Sequence, residues 1–254
     1  METKKPKIIL SSWTKDPDEI IALAVSAWAS DHITEDKKTI ESPQYMVRKA
    51  ISAFHQTALE YVNLVFVIKN VSRAFQQQLT RTRQAAYSIQ SMRVVLKKGF
   101  AENGHYTMPP NLSSGQQKLF KLAMLNIQHN YENLLDEGIP TEDARGILPL
   151  NIHSDITMTI NLRALYHMTK QRLCLNTQWE YRQVVLQMRD EIEKKLGKIY
   201  SKLIKAPCIG PSKCVMGEEF CGIKMWEVSK EEKEYAYENF PKTKKYQNNQ
   251  IRML

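Results

Sequence analysis

Arg81, Arg83 and Arg93 punctuate the segment QLTRTRQAAYSIQSMR, from Gln78 to Arg93, among serines and glutamines with no acid between them. A guanidinium is a planar fork of donors that matches a phosphate edge, so such a cluster points to phosphate recognition. For an isolated Arg-x-Arg pair the ordinary alternative is a solvated basic loop. A second group adds weight: Arg145 in ARGILP, Asn161 and Arg163 in NLR, then His167, Arg172 and Gln178-Trp179-Glu180. These arginines lie in otherwise apolar stretches, where an unpaired guanidinium is costly to bury, so they call for anionic partners. Asp143, Asp155 and Glu180 offer the plain structural alternative, ordinary ion pairs.

The elements that must hold these groups are readable in outline. Asp16-Pro17 followed by Asp18 and Glu19 signals a helix start, and Ser42-Pro43 repeats the signal. The β-branched and aromatic run YVNLVFVIKNV, residues 61–71, predicts a strand buried on much of its surface. Ser72 then caps a short helix over 73–78 that delivers the chain into Arg81-Thr82-Arg83. Residues 100–113 read as a loop, and 115–137 as a long amphipathic helix closed by Gly138 and Pro140. Thr141 opens a short helix, 155–160 alternates as a strand, and 161–173 resumes helical spacing. Thr177-Gln178-Trp179-Glu180 matches a capping box and predicts a helix to about residue 204. The fold class is α+β, helix-rich.

Composition narrows the classes. The 254 residues carry 36 Lys+Arg against 27 Asp+Glu, a formal charge of +9, and 43% are hydrophobic, which excludes collagen, coiled coil and bulk disorder. No apolar run reaches membrane-spanning length, and METKKPKIIL lacks a secretory leader's apolar core, so an intracellular, cytoplasmic protein is expected. The positive balance fits either a nucleic-acid binder or an enzyme with phosphorylated ligands. Arginines interleaved with apolar residues, not gathered on one polar face, favour the enzyme.

Several of these motifs, in order, resemble those of the flavin-dependent thymidylate synthases. That family's signature is Arg-His-Arg, seven residues, then Ser; here Arg81-Thr82-Arg83 is followed by seven residues and Ser91, with Arg93 two beyond. Gln78 stands three before the first arginine, and the ARGILP, NLR and Gln-Trp-Glu stretches match in turn. The resemblance covers roughly residues 50–205. It implies a small central antiparallel sheet among helices, and a homotetramer with FAD in sites shared between subunits. It also implies dUMP as substrate, methylenetetrahydrofolate as carbon donor and NADPH as reductant.

Carried over position by position, Gln78, Ser91, Arg93, Arg145 and Arg172 are expected to hold dUMP. Thr57, Arg81, Arg83, Asn161, Arg163 and His167 are expected at FAD, with Glu60 a further position there; the family usually has Asn where this chain has His167. Arg172 is the expected catalytic group, because a guanidinium at the uracil edge favours the anionic ring and makes C5 nucleophilic. No protein nucleophile and no metal are then needed. The chain departs from the family at Thr82 for the signature histidine, at Ala86 and Ser88 for serine and asparagine, at Ile89 for glutamate and at Val94 for tyrosine. The phosphate-gripping arginines remain while residues that manage protons and water differ. Methylation to dTMP is the favoured outcome; the alternative is capture of the C5 methylene by water, giving 5-hydroxymethyl-dUMP. A third reading is a homologue that binds nucleotides or nucleic acid without turnover.

Other residues read as structural. Ser91 is a ligand group and not a nucleophile, since no Ser-His-Asp arrangement is visible. Cys174, two after Arg172, is placed on another face of its helix. Cys208, Cys214 and Cys221 lack the close pairing of a structural zinc site. They fall in 206–254, expected to be an extension to a catalytic domain over 1–205. No direct nucleic-acid binding and no membrane association are expected.

Overall fold

The structure, a computed structural model, describes residues 2–29, 42–52 and 56–206. The Cys208, Cys214 and Cys221 reading therefore lies outside the described residues. Among the described residues, helices and strands run in the order β1 (Lys7–Trp13), α1 (Pro17–Ala29), α2 (Pro43–Ser52), β2 (Asn63–Ser72), α3 (Arg73–Leu79), β3 (Ala85–Ile89), α4 (Ser114–Asp136), α5 (Thr141–Ala144), β4 (His153–Asn161), α6 (Leu162–Arg172), α7 (Trp179–Leu196) and α8 (Lys198–Ser201). Short 3-10 turns occupy Gln56–Tyr61 and Arg145–Ile147. The strands form one antiparallel sheet in the order β1-β2-β4-β3. This is the helix-rich α+β architecture expected.

β2 arises where the β-branched run is densest, and Leu64, Phe66 and Ile68 are buried at the two-residue period of a strand. Ser72 ends it by accepting the Phe75 N–H at 3.0 Å, which caps α3 as its residue type predicts. β1 and β3 were not anticipated. The predicted continuous helix over 177–204 is two helices, because Gly197 sits at φ 100°, a left-handed conformation that suits glycine and ends α7. The capping box at Thr177 is not formed: Gln178 is the N-cap without a side-chain bond, and the Thr177 hydroxyl donates to the Gln171 carbonyl.

Two compact units are distinguished. The first comprises the chain through Ile8, Val67–Arg83 and Tyr87–Met158. Its apolar core gathers Met92, Phe100, Tyr106, Met124 and Ile152, with Phe120 and Leu148 packed against it. α4 starts with a true capping box, Ser113 accepting from Gln116 N–H while the Gln116 side chain accepts from Ser113 N–H. The second unit comprises Ile9–Phe66, Gln84–Ala86 and the chain from Thr159 onward. There α1 packs on α2, and the 3-10 turn at Gln56–Tyr61 packs on α1, α2 and α6. Among the described residues no helix is long and apolar enough to cross a membrane.

Candidate functional site

In the first unit α3 ends at Leu79, and the following turn presents Arg81 and Arg83, both exposed. The Tyr87 hydroxyl lies 2.9 Å from both the Leu79 and Thr82 carbonyl oxygens, and its one proton serves the two. The turn is pinned by its backbone, so its two guanidinium groups are left for other partners; neither has an ion pair among the described residues. Gln78 is half-buried on the last turn of α3, its amide near the Ala74 carbonyl.

A few residues along the chain, Ser91 and Arg93 line an open cavity of about 400 Å³ together with Val94, Pro140, Thr141 and Glu142. Ser91 Oγ accepts the Arg93 N–H at 3.2 Å, which shapes a turn and leaves the hydroxyl proton to donate. The Arg93 guanidinium holds one Glu142 carboxylate oxygen through two N–H groups, at 2.9 and 2.5 Å. Arg145 Nε donates to the backbone carbonyl of that same Glu142 at 2.9 Å. The fold thus brings Ser91, Arg93 and Arg145 together around Glu142. Sequence reasoning overlooked Glu142, although an acid in the first turn of a helix after Pro140 was a visible signal.

In the second unit Asn161 caps α6, its side-chain oxygen accepting from the Ala164 N–H at 2.8 Å. That bond uses the acceptor and leaves the amide N–H₂ to donate. Arg163, in the first turn of α6, is half-buried and paired with Glu60 on the 3-10 turn, beside exposed Thr57. His167 is exposed on α6, and burial with the Lys170 and Arg163 charges lowers its pKa, so it favours the neutral imidazole. Arg172 closes the helix, where a cation complements the C-terminal dipole. Its guanidinium carbon lies 4.9 Å from the ring centroid of fully buried Tyr181. Tyr181 is itself fixed by a hydroxyl contact to Met168 sulfur at 3.4 Å.

One more residue steadies this corner. Arg182 is buried and donates to the Leu175 and Thr177 carbonyls, tying down the turn after Arg172. Cys174 lies beyond the Leu173 C-cap, so its separation from Arg172 comes from the turn and not from helical geometry. Trp179 is half-buried.

The donor set suits anionic ligands with phosphate groups and a planar ring, bound by a helix-rich α+β protein. Residues 9–196 match the family model described as thymidylate synthase complementing protein, Thy1. The flavin-dependent thymidylate synthase of Geobacter sulfurreducens is 34% identical over 222 residues, covering 85% of this chain and 94% of that one. That of Sulfurisphaera tokodaii is 31% identical over 214 residues, covering 83% and 80%. Two solved structures share the fold. Thymidylate Synthase X from Helicobacter pylori, crystallised with FAD and dUMP, superposes with a TM-score of 0.62 at 19% identity, covering 79% of this chain and 99% of that one. The UMP/dUMP methylase PolB from Streptomyces cacaoi, bound with 5-Br dUMP, gives 0.64 at 20% identity, covering 80% and 96%. The chain belongs to the flavin-dependent thymidylate synthase family.

Proposed function

We infer that this protein transfers the one-carbon unit of methylenetetrahydrofolate to C5 of dUMP, using FAD and NADPH, and makes dTMP. The observation that carries this reading is the meeting of Ser91 and Arg93 at one cavity, with Arg145 bonded to the cavity residue Glu142, in a chain of this family. Gln78, Ser91, Arg93 and Arg145 hold dUMP, with Arg172 at the uracil edge. Arg81, Arg83, Asn161, Arg163, His167 and Thr57 hold FAD: two unpaired guanidinium groups and a free amide donor fit its pyrophosphate and ring edge. FAD, when bound by these residues, would supply the redox chemistry that NADPH drives.

The chain's own residues orient and polarise. Phosphate displaces Glu142 from Arg93, since both are anionic forks competing for the same guanidinium. Arg172, held against Tyr181, needs no reorganisation as negative charge grows on the ring, which is the condition for strong electrostatic stabilisation. The catalytic domain occupies residues 1–205, with 206–254 an extension. Val94, Leu96, Leu119 and Leu122 of the first unit are large, apolar and exposed, which supports the homotetramer.

A second reading rests on Thr82, Ala86, Ser88 and Ile89: it ends in water capture and 5-hydroxymethyl-dUMP. Mass analysis of the nucleotide made from dUMP, methylenetetrahydrofolate, NADPH and FAD separates the two by one oxygen. A colourless protein that leaves dUMP unchanged would overturn both.

A further inference from the structure

Apart from the residues assigned to dUMP and FAD, the first unit contains a second polar hollow. It measures about 260 Å³, and its wall includes Asn70, Gln90, Lys97, His105, His153 and Asp155. We propose that this hollow is a binding site for a small phosphate oxyanion, separate from the nucleotide site. None of Gln78, Ser91, Arg93, Arg145 or Arg172 lines it. Its volume lies below the ~300 Å³ at which pockets for drug-sized ligands begin, so the guest is a small anion and not a dinucleotide.

The first argument is an unmet hydrogen bond. His153 is only 3% exposed; its Nε2 lies 3.2 Å from the Thr107 hydroxyl, while its Nδ1 is buried with no hydrogen-bond partner among the described residues. A buried polar nitrogen left alone costs free energy, and His153 is one of the residues that line the hollow. The second argument is unbalanced charge. Lys97 Nζ donates to Gln90 Oε1 at 2.7 Å and to the His153 carbonyl at 3.0 Å, leaving a third N–H. Lys4 Nζ stands 2.9 Å from His105 Nε2. The N-terminal segment reaches that point by crossing Gly104, where a Cβ would come within 2.7 Å of the Glu2 carbonyl oxygen. Against these two ammonium groups stands one carboxylate, Asp155, whose Oδ1 already accepts the Asn70 N–H at 3.0 Å. Lys98 is taken by Asp136 at 3.0 Å.

A water molecule would meet the orphaned nitrogen but leave the cations repelling one another. An anion answers both. Burial, with the paired imidazole, Lys97 and Lys4, holds the His153 pKa down to about 3. Burial lowers His105 and Lys97 as well, with Arg73 adding to the pressure on Lys97 and Asp155 opposing it on both. An oxyanion in the hollow offsets the charge repulsion among these groups, though not their burial.

Titration calorimetry of the full chain with inorganic phosphate and with ribose 5-phosphate tests the proposal. Saturable binding is expected; preference for the sugar phosphate would identify a phosphate monoester, and equal binding the free ion. Lys97→Met should weaken binding by roughly tenfold or more while dUMP affinity stays unchanged. Exposed Lys4→Ala, which leaves the interior intact, should weaken it about threefold. No heat with either probe, undiminished binding in both variants, or displacement of phosphate by dUMP would each overturn it.

Discussion

The two units use arginine differently. In the first, Arg81 and Arg83 project from a turn with no ion-pair partner among the described residues, and Arg93 is held by Glu142 across a surface where the two side chains are 62% and 49% exposed. In the second, Arg163 is half-buried against Glu60 and Arg172 rests on a buried tyrosine. An exposed guanidinium can swing to a phosphate and release it; one packed on an aromatic face keeps its direction. The first arrangement suits capture of ligands, the second suits stabilising charge that develops during a reaction.

The sharpest way to break this contrast is Arg172→Ala. If a fixed guanidinium stabilises the uracil anion, kcat should fall about 10²–10³-fold while flavin absorbance is retained. Loss of flavin with unchanged kcat in the reconstituted remainder would show that Arg172 grips the cofactor instead. Truncating a first-unit arginine should behave otherwise: Arg145→Ala should raise the dUMP dissociation constant roughly tenfold, as for one charge-assisted hydrogen bond, with kcat at saturation nearly preserved.

Acid should also discriminate between the units. His153 of the first unit titrates at about 3 when folded and near 6.5 when unfolded. Between those values the unfolded chain binds the extra proton, so stability is full above about pH 6.5 and falls as pH drops, by about 1.4 kcal/mol per pH unit. Denaturant melts at pH 7 and pH 5 should show that slope in the native protein and a shallower one in His153→Asn. Equal slopes would mean that the histidine is solvated and the first unit's interior is not the acid-sensitive one.

How much of this was legible in sequence follows from range. β2, the Ser72 cap, α4 and α6 are written in local residue types, and they were read correctly from them. β3, AAYSI, carries little strand propensity, and its place is set by pairing with β4, so no local signal announces it. β1 is seven residues flanked by lysines and was read only as lacking a leader's character. The break at Gly197 was visible, yet the apolar rhythm through Ile199 and Leu203 argued for continuity. The arginines and their order were plain. Their acid partners were not, because Glu142 lies 49 positions from Arg93 and Glu60 lies 103 from Arg163, separations that only the fold closes.

Those two acids give the finest test of the contrast. Glu142→Gln removes an exposed partner that dUMP phosphate must displace, so dUMP affinity should stay level or improve, by no more than about fivefold. Glu60→Gln frees a half-buried guanidinium that the pair holds in place, so flavin affinity should fall, again by about fivefold or less. The signs, opposite for partners of the same chemistry, are the content of the prediction: in one unit the carboxylate occupies the ligand's place, and in the other it aims the residue that the ligand meets. Fluorescence titration of flavin and equilibrium dialysis of dUMP against both variants read the two signs directly. A loss of dUMP affinity beyond tenfold in Glu142→Gln would show that Glu142 positions Arg93 rather than competing for it, and the distinction between capturing and fixed arginines would then fail where the first unit defines it.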